Sequence, residues 1–314
     1  MGAERVQGTS LVIGSGGLLG RSVAHHLKMS GSAESVICPT ITWSDPSLAT
    51  TQLQTSLRSY LTGNEHRDSM EIYWCAGIAT QRTVGNETEL EQHFLHQVLS
   101  VISSAISQRP IKSLRLFFAS SAGGVYGDTR HSVASETNEP RPQDSYGNAK
   151  LDLELRLRQF AKDTSTSVVI GRLSSLYGRR QNMQKRQGLL SHLAVAIAKS
   201  QPIEIFTSLS STRNYLDSDS AARIAVDQMR RLVNGEVRLR NICAPYNVSV
   251  AELLSLSKQL AGRNLRIIQT GHSQPSNSRI VTMFSSETAS LTRMTMAEGL
   301  SSLVRAARRD TLQA

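Results

Sequence analysis

The stretch Thr9-Ser-Leu-Val-Ile-Gly-Ser-Gly-Gly-Leu-Leu-Gly20 decides the fold of this chain. It begins as an apolar run rich in β-branched residues, which predicts a strand, and helical spacing of apolar residues follows up to Met29. Gly14 permits a tight turn, Gly17 lets the backbone approach a pyrophosphate, and Gly20 lets the helix pack close to the strand. Because N–H groups at a helix start attract phosphates, the stretch predicts a dinucleotide-binding turn rather than a glycine turn without a ligand. The predicted cofactor-binding residues here are Gly14, Gly16, Gly17, Leu18, Leu19 and Gly20.

Composition is that of an ordinary globular protein. With 314 residues, 39% of them apolar, the chain is long enough for one large domain or two smaller ones. No run approaches the roughly 18 apolar residues of a membrane span, and the polar Met1–Gln7 segment indicates no signal peptide. Three widely spaced cysteines indicate reduced thiols in a cytoplasmic protein, not a disulfide framework or a metal site. They are Cys38, Cys75 and Cys243.

The formal net charge of +10 predicts an anionic ligand. Nucleic acid, a membrane surface and a phosphorylated small molecule are all compatible with such a surplus. The basic residues are scattered, however, and no basic helix is interleaved with aromatic residues. The sequence therefore favours a small anionic ligand over nucleic acid.

Strands and helices alternate along the first half of the chain. Further strands are predicted at Ser35–Cys38, Met70–Cys75, Leu114–Ala119 and Ser167–Ile170, with helices at 46–61, 87–107 and 144–163. This alternation predicts an α/β fold, a Rossmann-type doubly wound parallel sheet with a smaller C-terminal α/β substrate-binding part. We expect residues 1–170 to form the dinucleotide-binding domain, with 207–240 returning to it. Residues 171–206 and 241–314 are expected to form the substrate-binding part.

The segment from Leu151 to Arg158 alternates apolar and charged residues, which taken alone predicts a strand. Leu, Glu and Arg are strong helix formers, however, and no β-branched residue occurs between residues 144 and 163, so we predict a helix. Its leucines would place apolar surface on two sides. We therefore expect it to pack on its own sheet and also on a partner subunit, which predicts a homodimer.

Tyr146 and Lys150 share one face of this predicted helix because they are four residues apart. The spacing alone is weak, since the tyrosine is also compatible with a plain aromatic residue and the lysine with a solvated one. Upstream, Ala76 and Gly77 follow a predicted strand and are small enough for a cofactor to lie against them. A Ser-Ser-Ala-Gly-Gly-Val-Tyr-Gly turn, residues 120–127, follows the next strand.

In its order of motifs the chain resembles the extended short-chain dehydrogenase/reductase family, in particular its NAD(P)-dependent nucleotide-sugar epimerases and dehydratases. The resemblance covers nearly the whole chain. It rests on the glycine turn, the 120–127 turn, Tyr146-x-x-x-Lys150, Arg172 with Tyr177-Gly178, and Arg213-Asn-Tyr-Leu-Asp-Ser-Asp219.

The resemblance implies a role for each matching residue. Tyr146 would be the proton acceptor, Lys150 would support it and hold the ribose hydroxyls, and Ser121 would bond the sugar oxygen. Further cofactor-binding residues would be Ala76, Gly77, Ser120, Tyr146 and Lys150. Substrate-binding residues would be Ala122, Gly123, Ser175, Arg179, Gly188 and Arg213. The implied cofactor is NAD or NADP, the implied substrate is a nucleotide sugar, and no metal is expected.

Several positions depart from the family pattern. Ala122 stands where the catalytic Ser or Thr usually lies, so Ser121 is the candidate for that role. Gly123-Gly124 replaces the Asp-Glu pair of sugar 4,6-dehydratases, so that elimination lacks its acid and base. His93 stands where an asparagine is common. The predicted second strand ends at Cys38 with neither the acid typical of NAD binding nor an arginine that would favour a 2′-phosphate, which leaves NAD and NADP open.

Three functions are compatible with this pattern. A nucleotide-sugar 4-epimerase is favoured by the segments Tyr177-Gly-Arg-Arg-Gln181 and Gly188-Leu-Leu190, which resemble those of bacterial polysaccharide-cluster epimerases. An NADPH-dependent 4-ketoreductase is favoured by the missing acid and by the short Trp43-Ser-Asp-Pro46 link. A dinucleotide-binding protein without catalysis is the alternative from another class, prompted by Ala122.

Overall fold

The computed structural model describes residues 8–31, 35–64, 69–80, 85–109, 111–130, 133–183, 188–269, 281–289 and 291–312. The strands within these ranges are β1 (Gly8–Ile13), β2 (Ser35–Ile37), β3 (Ser69–Trp74), β4 (Leu114–Ser121), β5 (Ser167–Leu173), β6 (Ser175–Tyr177), β7 (Ile203–Ile205), β8 (Thr212–Asp217), β9 (Val237–Ile242), β10 (Asn247–Ser249) and β11 (Ile267–Gln269). The helices are α1 (Leu18–Met29), α2 (Pro46–Gly63), α3 (Glu87–Gln108), α4 (Ala122–Val125), α5 (Ser145–Thr164), α6 (Leu189–Lys199), α7 (Ser218–Arg230), α8 (Val250–Ala261), α9 (Ser286–Ala289) and α10 (Met296–Leu312).

Six parallel strands form the central sheet in the order β2-β1-β3-β4-β5-β9. Helices α2, α3 and α5 cover one face, and α1 and α7 cover the other. The predicted Rossmann-type, doubly wound parallel sheet is therefore confirmed. The chain passes to one side of β1 through β2 and to the other side through β3, which places a topological switch point between the carboxyl ends of β1 and β3.

Alternate residues of each central strand enter different cores, as the two-residue period of a strand requires. Leu11 and Ile13 of β1 pack under α2 and α3, whereas Val12 between them packs under α1. Phe117 and Phe118 of β4 divide in the same way. Because both faces of the sheet are covered, these strands consist of continuous apolar runs. Such runs predict buried strands directly from the sequence.

A second core lies beyond β5 in the C-terminal half. Helices α6, α8 and α10 pack together there with β7 and β11. Strand β8 lies between β6 and β10 in a separate three-stranded sheet. Helix α7 returns to the central sheet and packs against α1, and β9 pairs with β5.

The alternating segment 151–158 lies within helix α5, as predicted. Asp144 caps this helix by accepting a hydrogen bond from the Gly147 N–H at 2.7 Å, and Leu153 and Leu157 are buried against the central sheet. Strand β9, the run Val237–Ile242, was not predicted from the sequence and forms the sixth parallel strand. Helix α4, a single helical turn inside the 120–127 segment, was not predicted either.

Apolar helices long enough to cross a bilayer do not occur among the described residues. On the outer face of α5, Arg156 and Asp152 form an exposed ion pair at 2.8 Å.

Gly20 provides a direct test of the packing between α1 and β1. A Cβ added at Gly20 would lie 2.7 Å from the carbonyl carbon of Gly14 and closer still to its oxygen, so backbone must shift. We expect Gly20→Ala to lower the free energy of unfolding by about 1–3 kcal/mol, as overpacking does. Denaturant-induced unfolding followed by circular dichroism measures this change.

Gly63→Ala is the matched control. Gly63 is the last residue of α2 and no atom lies within 4 Å of its added Cβ, so this change should be neutral or slightly stabilising. Equal effects of the two substitutions would contradict the close packing at Gly20.

Candidate active site

The glycine turn joins β1, α1 and the segment after β3. Gly14 has φ +84°, and a Cβ there would lie 2.5 Å from the Ala76 nitrogen. The Gly17 N–H donates a hydrogen bond to the Gly14 carbonyl at 2.9 Å. Ala76 is buried and Gly77 beside it is exposed. The glycines therefore let three backbone segments meet at the switch point of the sheet.

The first turn of α1 suits an anion. Gly17 precedes the helix without a side-chain cap, and the turn contains no acidic residue. Gly16 and Gly17 are exposed, so the N–H groups of the first turn, which have no partner within the helix, and the positive end of the helix dipole lie at an accessible turn. These features fit the pyrophosphate of a dinucleotide. Leu18 and Leu19 begin the helix, and Leu19 is buried against the sheet.

Tyr146 and Lys150 lie at the same edge of the sheet, on the first two turns of α5. The Lys150 ammonium is 5.8 Å from the centroid of the Tyr146 ring. Tyr146 is half-buried, whereas Lys150 is 4% exposed. The ammonium pairs with the carboxylate of Glu91 from α3 and contacts the Ala119 carbonyl at 3.4 Å.

The charge of Lys150 is kept by its neighbours. Burial is the largest single influence and lowers the pKa of a lysine, but the Glu91 carboxylate and Tyr146 act in the opposite direction and together outweigh it. The pKa of Lys150 is therefore raised above its ordinary value. A charged ammonium thus lies beside the Tyr146 phenol throughout the neutral pH range.

The ring of Tyr146 packs on the 120–127 turn. A Cβ at Gly124 would lie 3.0 Å from the Tyr146 Cε1 atom. The Ser121 hydroxyl accepts a hydrogen bond from the Gly124 N–H at 3.2 Å, which caps α4. The structure therefore brings Ser121 and Tyr146 to the two sides of Gly124. Gly123, in the same turn, is half-buried.

Ala122 is fully buried and does not border an open crevice. It packs with Tyr126, Ala134, Cys243 and Met283 in a small apolar cluster. The residue at the usual serine position is thus part of the packing, whereas the Ser121 side chain is half-buried and its hydroxyl hydrogen is free of the capping bond.

Ser120 belongs to a buried polar network behind the site. Its hydroxyl donates to Glu154 at 2.5 Å, and Glu154 receives two N–H groups of Arg172, the shorter at 2.7 Å. The Arg172 guanidinium also lies 4.6 Å from the centroid of the Tyr126 ring. The predicted cofactor contact of Ser120 therefore stays a prediction, because its side chain is engaged in this network.

The residues predicted to bind substrate lie on several elements. Ser175 is exposed on β6 opposite Tyr215, and Arg213 is half-buried on β8 opposite Val248. Arg179 is exposed and pairs with Asp219 at 3.3 Å, and Gly188 is exposed at the start of α6 with φ +81°. The described contacts do not bring these four residues together with Tyr146.

Glu91 is the site residue that the sequence analysis missed. It is 3% exposed and belongs to the core-facing positions of α3. The signal was present: an acid at Glu91 precedes Leu95, Val98 and Ile102 on a single apolar stripe. A charge on a buried stripe is rare unless it has a partner.

His93, which stands at the position where an asparagine is common, lies near α2. Its Nε2 atom is 3.4 Å from the Thr50 hydroxyl oxygen.

The model of the NAD dependent epimerase/dehydratase family matches residues 10–243. The chain is 34% identical over 102 residues to dTDP-4-dehydro-6-deoxyglucose reductase of Escherichia coli, which covers 32% of each protein. It is 26% identical over 165 residues to a putative UDP-glucose 4-epimerase of Methanocaldococcus jannaschii, which covers 52% of this chain and 53% of that protein. The alignments thus span a third to about half of the length of these relatives.

Solved protein structures share this fold over nearly the whole chain. UDP-glucuronic acid 4-epimerase from Bacillus cereus, solved in complex with UDP-glucuronic acid and NAD, superimposes with a TM-score of 0.76. The superposition covers 96% of this chain and 99% of that protein at 19% sequence identity. At this identity the likeness concerns the fold.

The Arg172–Glu154 pair gives a testable prediction about what supports the site. Arg172→Met would leave the Glu154 carboxylate buried without its main partner, and we expect a loss of about 3–5 kcal/mol in the free energy of unfolding. Arg156→Ala is the control, because Arg156 and Asp152 form an exposed ion pair on α5, the helix that carries Glu154. That change should cost about 0.5 kcal/mol or less. Chemical denaturation compares the two, and a loss below about 1 kcal/mol for Arg172→Met would contradict a structural role.

Proposed function

The chain belongs to the NAD dependent epimerase/dehydratase family, and on this premise we propose that it inverts C4 of a nucleotide-diphosphate sugar, as a 4-epimerase. The observation that carries the proposal is the meeting of Tyr146, the charged Lys150 and the glycine turn at one edge of the central sheet. The M. jannaschii relative and the B. cereus structure, both named as 4-epimerases, support the choice of reaction.

The cofactor that fits this site is a nicotinamide dinucleotide. When bound, it would accept a hydride from the sugar carbon and return it to the same carbon. The residues Gly14 to Gly20 would hold its pyrophosphate, and Ala76 and Gly77 would lie against it. Lys150 would donate to the ribose hydroxyls. We propose NAD, because an epimerase must recycle its cofactor in place, and the segment after β2 contains no basic residue for a 2′-phosphate.

Tyr146 is the proposed proton acceptor. When the C4 hydroxyl is oxidised, its proton leaves oxygen while a hydride leaves carbon, and a base must receive the proton. The adjacent Lys150 ammonium stabilises the phenolate that accepts it. A positioned base of this kind typically contributes about 10²–10⁴ in rate. The proton returns from Tyr146 to oxygen after the 4-keto sugar has presented its other face.

Ser121 is proposed to orient the sugar oxygen in place of the usual serine at position 122. Its oxygen accepts the Gly124 N–H, so its own O–H can donate to the substrate. Gly123 and Gly124 supply neither an acid nor a base, which argues against 4,6-dehydration. Arg213 and Arg179 are proposed to face the diphosphate once substrate is bound, with Ser175 and Gly188 in the same substrate-binding part.

A 4-ketoreductase is the second candidate function. It is supported by the 34% identity to the E. coli reductase and by the absence of an acid after β2. In that case NADPH would deliver a hydride to a 4-keto sugar, and Tyr146 would donate a proton instead of accepting one.

The wider organisation of the protein is also proposed. Residues 1–170 with 207–240 would form the dinucleotide-binding domain. The packing of α7 on α1 and the pairing of β9 with β5 support this division, although β8 pairs with β6 and β10.

A groove of about 410 Å³ between α3 and α5 supports a homodimer through these helices. We propose a cytoplasmic location.

Incubation with UDP- or TDP-hexoses distinguishes the two redox functions. We expect C4 inversion without added reductant and without net consumption of cofactor, measured by NMR of the sugar. Stoichiometric oxidation of NADPH with a 4-keto sugar would support the reductase instead. If neither reaction occurs with any hexose tested, the result would favour a dinucleotide-binding protein without catalysis.

Tyr146→Phe tests the proposed base. We expect turnover to fall by about 10²–10⁴, because no group then receives the proton, while dinucleotide affinity changes little. Ser145→Ala is the matched control, since Ser145 is exposed one residue earlier on the same helix and should leave turnover unchanged. Unchanged turnover in Tyr146→Phe would exclude both enzyme functions.

A further inference from the structure

We propose that Glu91 is a positioning residue that keeps Lys150 charged and fixes its direction, so that cofactor affinity depends on this buried carboxylate. The inference rests on the proposed function, because it concerns the same site. Glu91 is proposed to act through Lys150, with which it forms a buried ion pair.

Glu91 connects three elements that border the site. From α3, one of its carboxylate oxygens accepts a hydrogen bond from the Lys150 ammonium on α5. The other oxygen accepts the Ala79 N–H at 3.3 Å, in the segment after β3. This segment includes Gly77, and a Cβ there would lie 3.9 Å from Glu91. The carboxylate therefore fixes the ammonium relative to the wall against which the cofactor would lie.

The contacts of Lys150 also set its direction. An ammonium has three N–H donors. Among the described residues, one donor goes to Glu91 and one approaches the Ala119 carbonyl at 3.4 Å. The third donor is available for a hydroxyl group of ribose. Without Glu91 the flexible lysine side chain would lose its shortest contact, and the direction of that third donor would no longer be fixed.

Glu91 is also the main counterion of Lys150. The charged and titratable groups facing the ammonium are Glu91 from α3, and Tyr146 and Glu154 from α5. Glu154 is already paired with Arg172 and bonded by Ser120, so it compensates Lys150 only weakly. A buried lysine without a counterion loses its proton readily, since burial favours the neutral form. A neutral Lys150 would neither support the Tyr146 phenolate nor bind ribose as a cation.

The pH dependence of unfolding tests this role without any cofactor. In the wild type the pKa of Lys150 is raised, so its stabilising contribution is fully present below its ordinary pKa, about 10.5, and no loss is expected between pH 7 and 10. In Glu91→Gln we expect the pKa of Lys150 to fall below its unfolded value. The folded state then binds fewer protons than the unfolded state over that interval, so the stability deficit of the variant should shrink as pH rises.

Two variants serve as controls in these unfolding profiles. Glu89→Gln removes a charge from an exposed position of the same helix and should give a wild-type profile. Glu91→Asp keeps the charge and should keep most of the profile. A deficit of Glu91→Gln that is the same at pH 7 and pH 10 would overturn the inference, whether or not a dinucleotide binds.

Cofactor binding gives the second readout. We expect the Kd for NAD, measured by calorimetry, to rise at least about tenfold in Glu91→Gln at pH 9, with a smaller change at pH 6.5. In a Lys150→Met background, Glu91→Gln should produce no such pH-dependent change, because the group that titrates is gone. Equal pH dependence of wild type and Glu91→Gln would contradict the inference. A wild type that binds no dinucleotide would contradict the proposed function, and the unfolding profiles would then decide the role of Glu91.

Discussion

The structure depends on two places where glycine lets backbone meet backbone. At the first, Gly20 on α1 lies against Gly14 at the end of β1, too close for any side chain. At the second, a Cβ on Gly147 of α5 would lie 2.9 Å from the carbonyl carbon of Gly124 in the 120–127 turn. The first contact brings the start of α1 to the switch point of the sheet. The second brings the start of α5, and with it Tyr146, to the end of β4.

These two contacts place two positively charged features near each other. The uncapped first turn of α1 suits a phosphate, and Lys150 places a buried cation near the end of β4, which together suit the proposed anionic dinucleotide. A buried cation is costly unless it is compensated, and Glu91 of α3 compensates it. The buried charges of Glu154 and Arg172 behind the site compensate each other in the same way. The groups that we propose to react are thus held in place by ion pairs within the protein.

Much of this arrangement could be predicted from the sequence, for physical reasons. Continuous apolar runs and glycine spacing identified β1, α1 and the parallel sheet, and helix propensity correctly outweighed the alternation of residues 151–158. Strand β9 was missed because Arg238 and Arg240 interrupt its apolar residues at the edge of the sheet. Glu91 was missed because its partner is 59 residues away, and only packing brings the two together. For the same reason the sequence left Ser121 and Ala122 as rivals, whereas the packing buries Ala122 among apolar side chains.

In the proposed reaction, one site removes a hydride from C4 of a nucleotide sugar and returns it to the same carbon. The most direct test is to incubate the protein with a UDP-hexose deuterated at C4 and to follow the label by mass spectrometry and NMR. We expect an inverted product that keeps its deuterium at C4, with none released to water. Inversion with loss of the label to water, or no inversion at all, would contradict it.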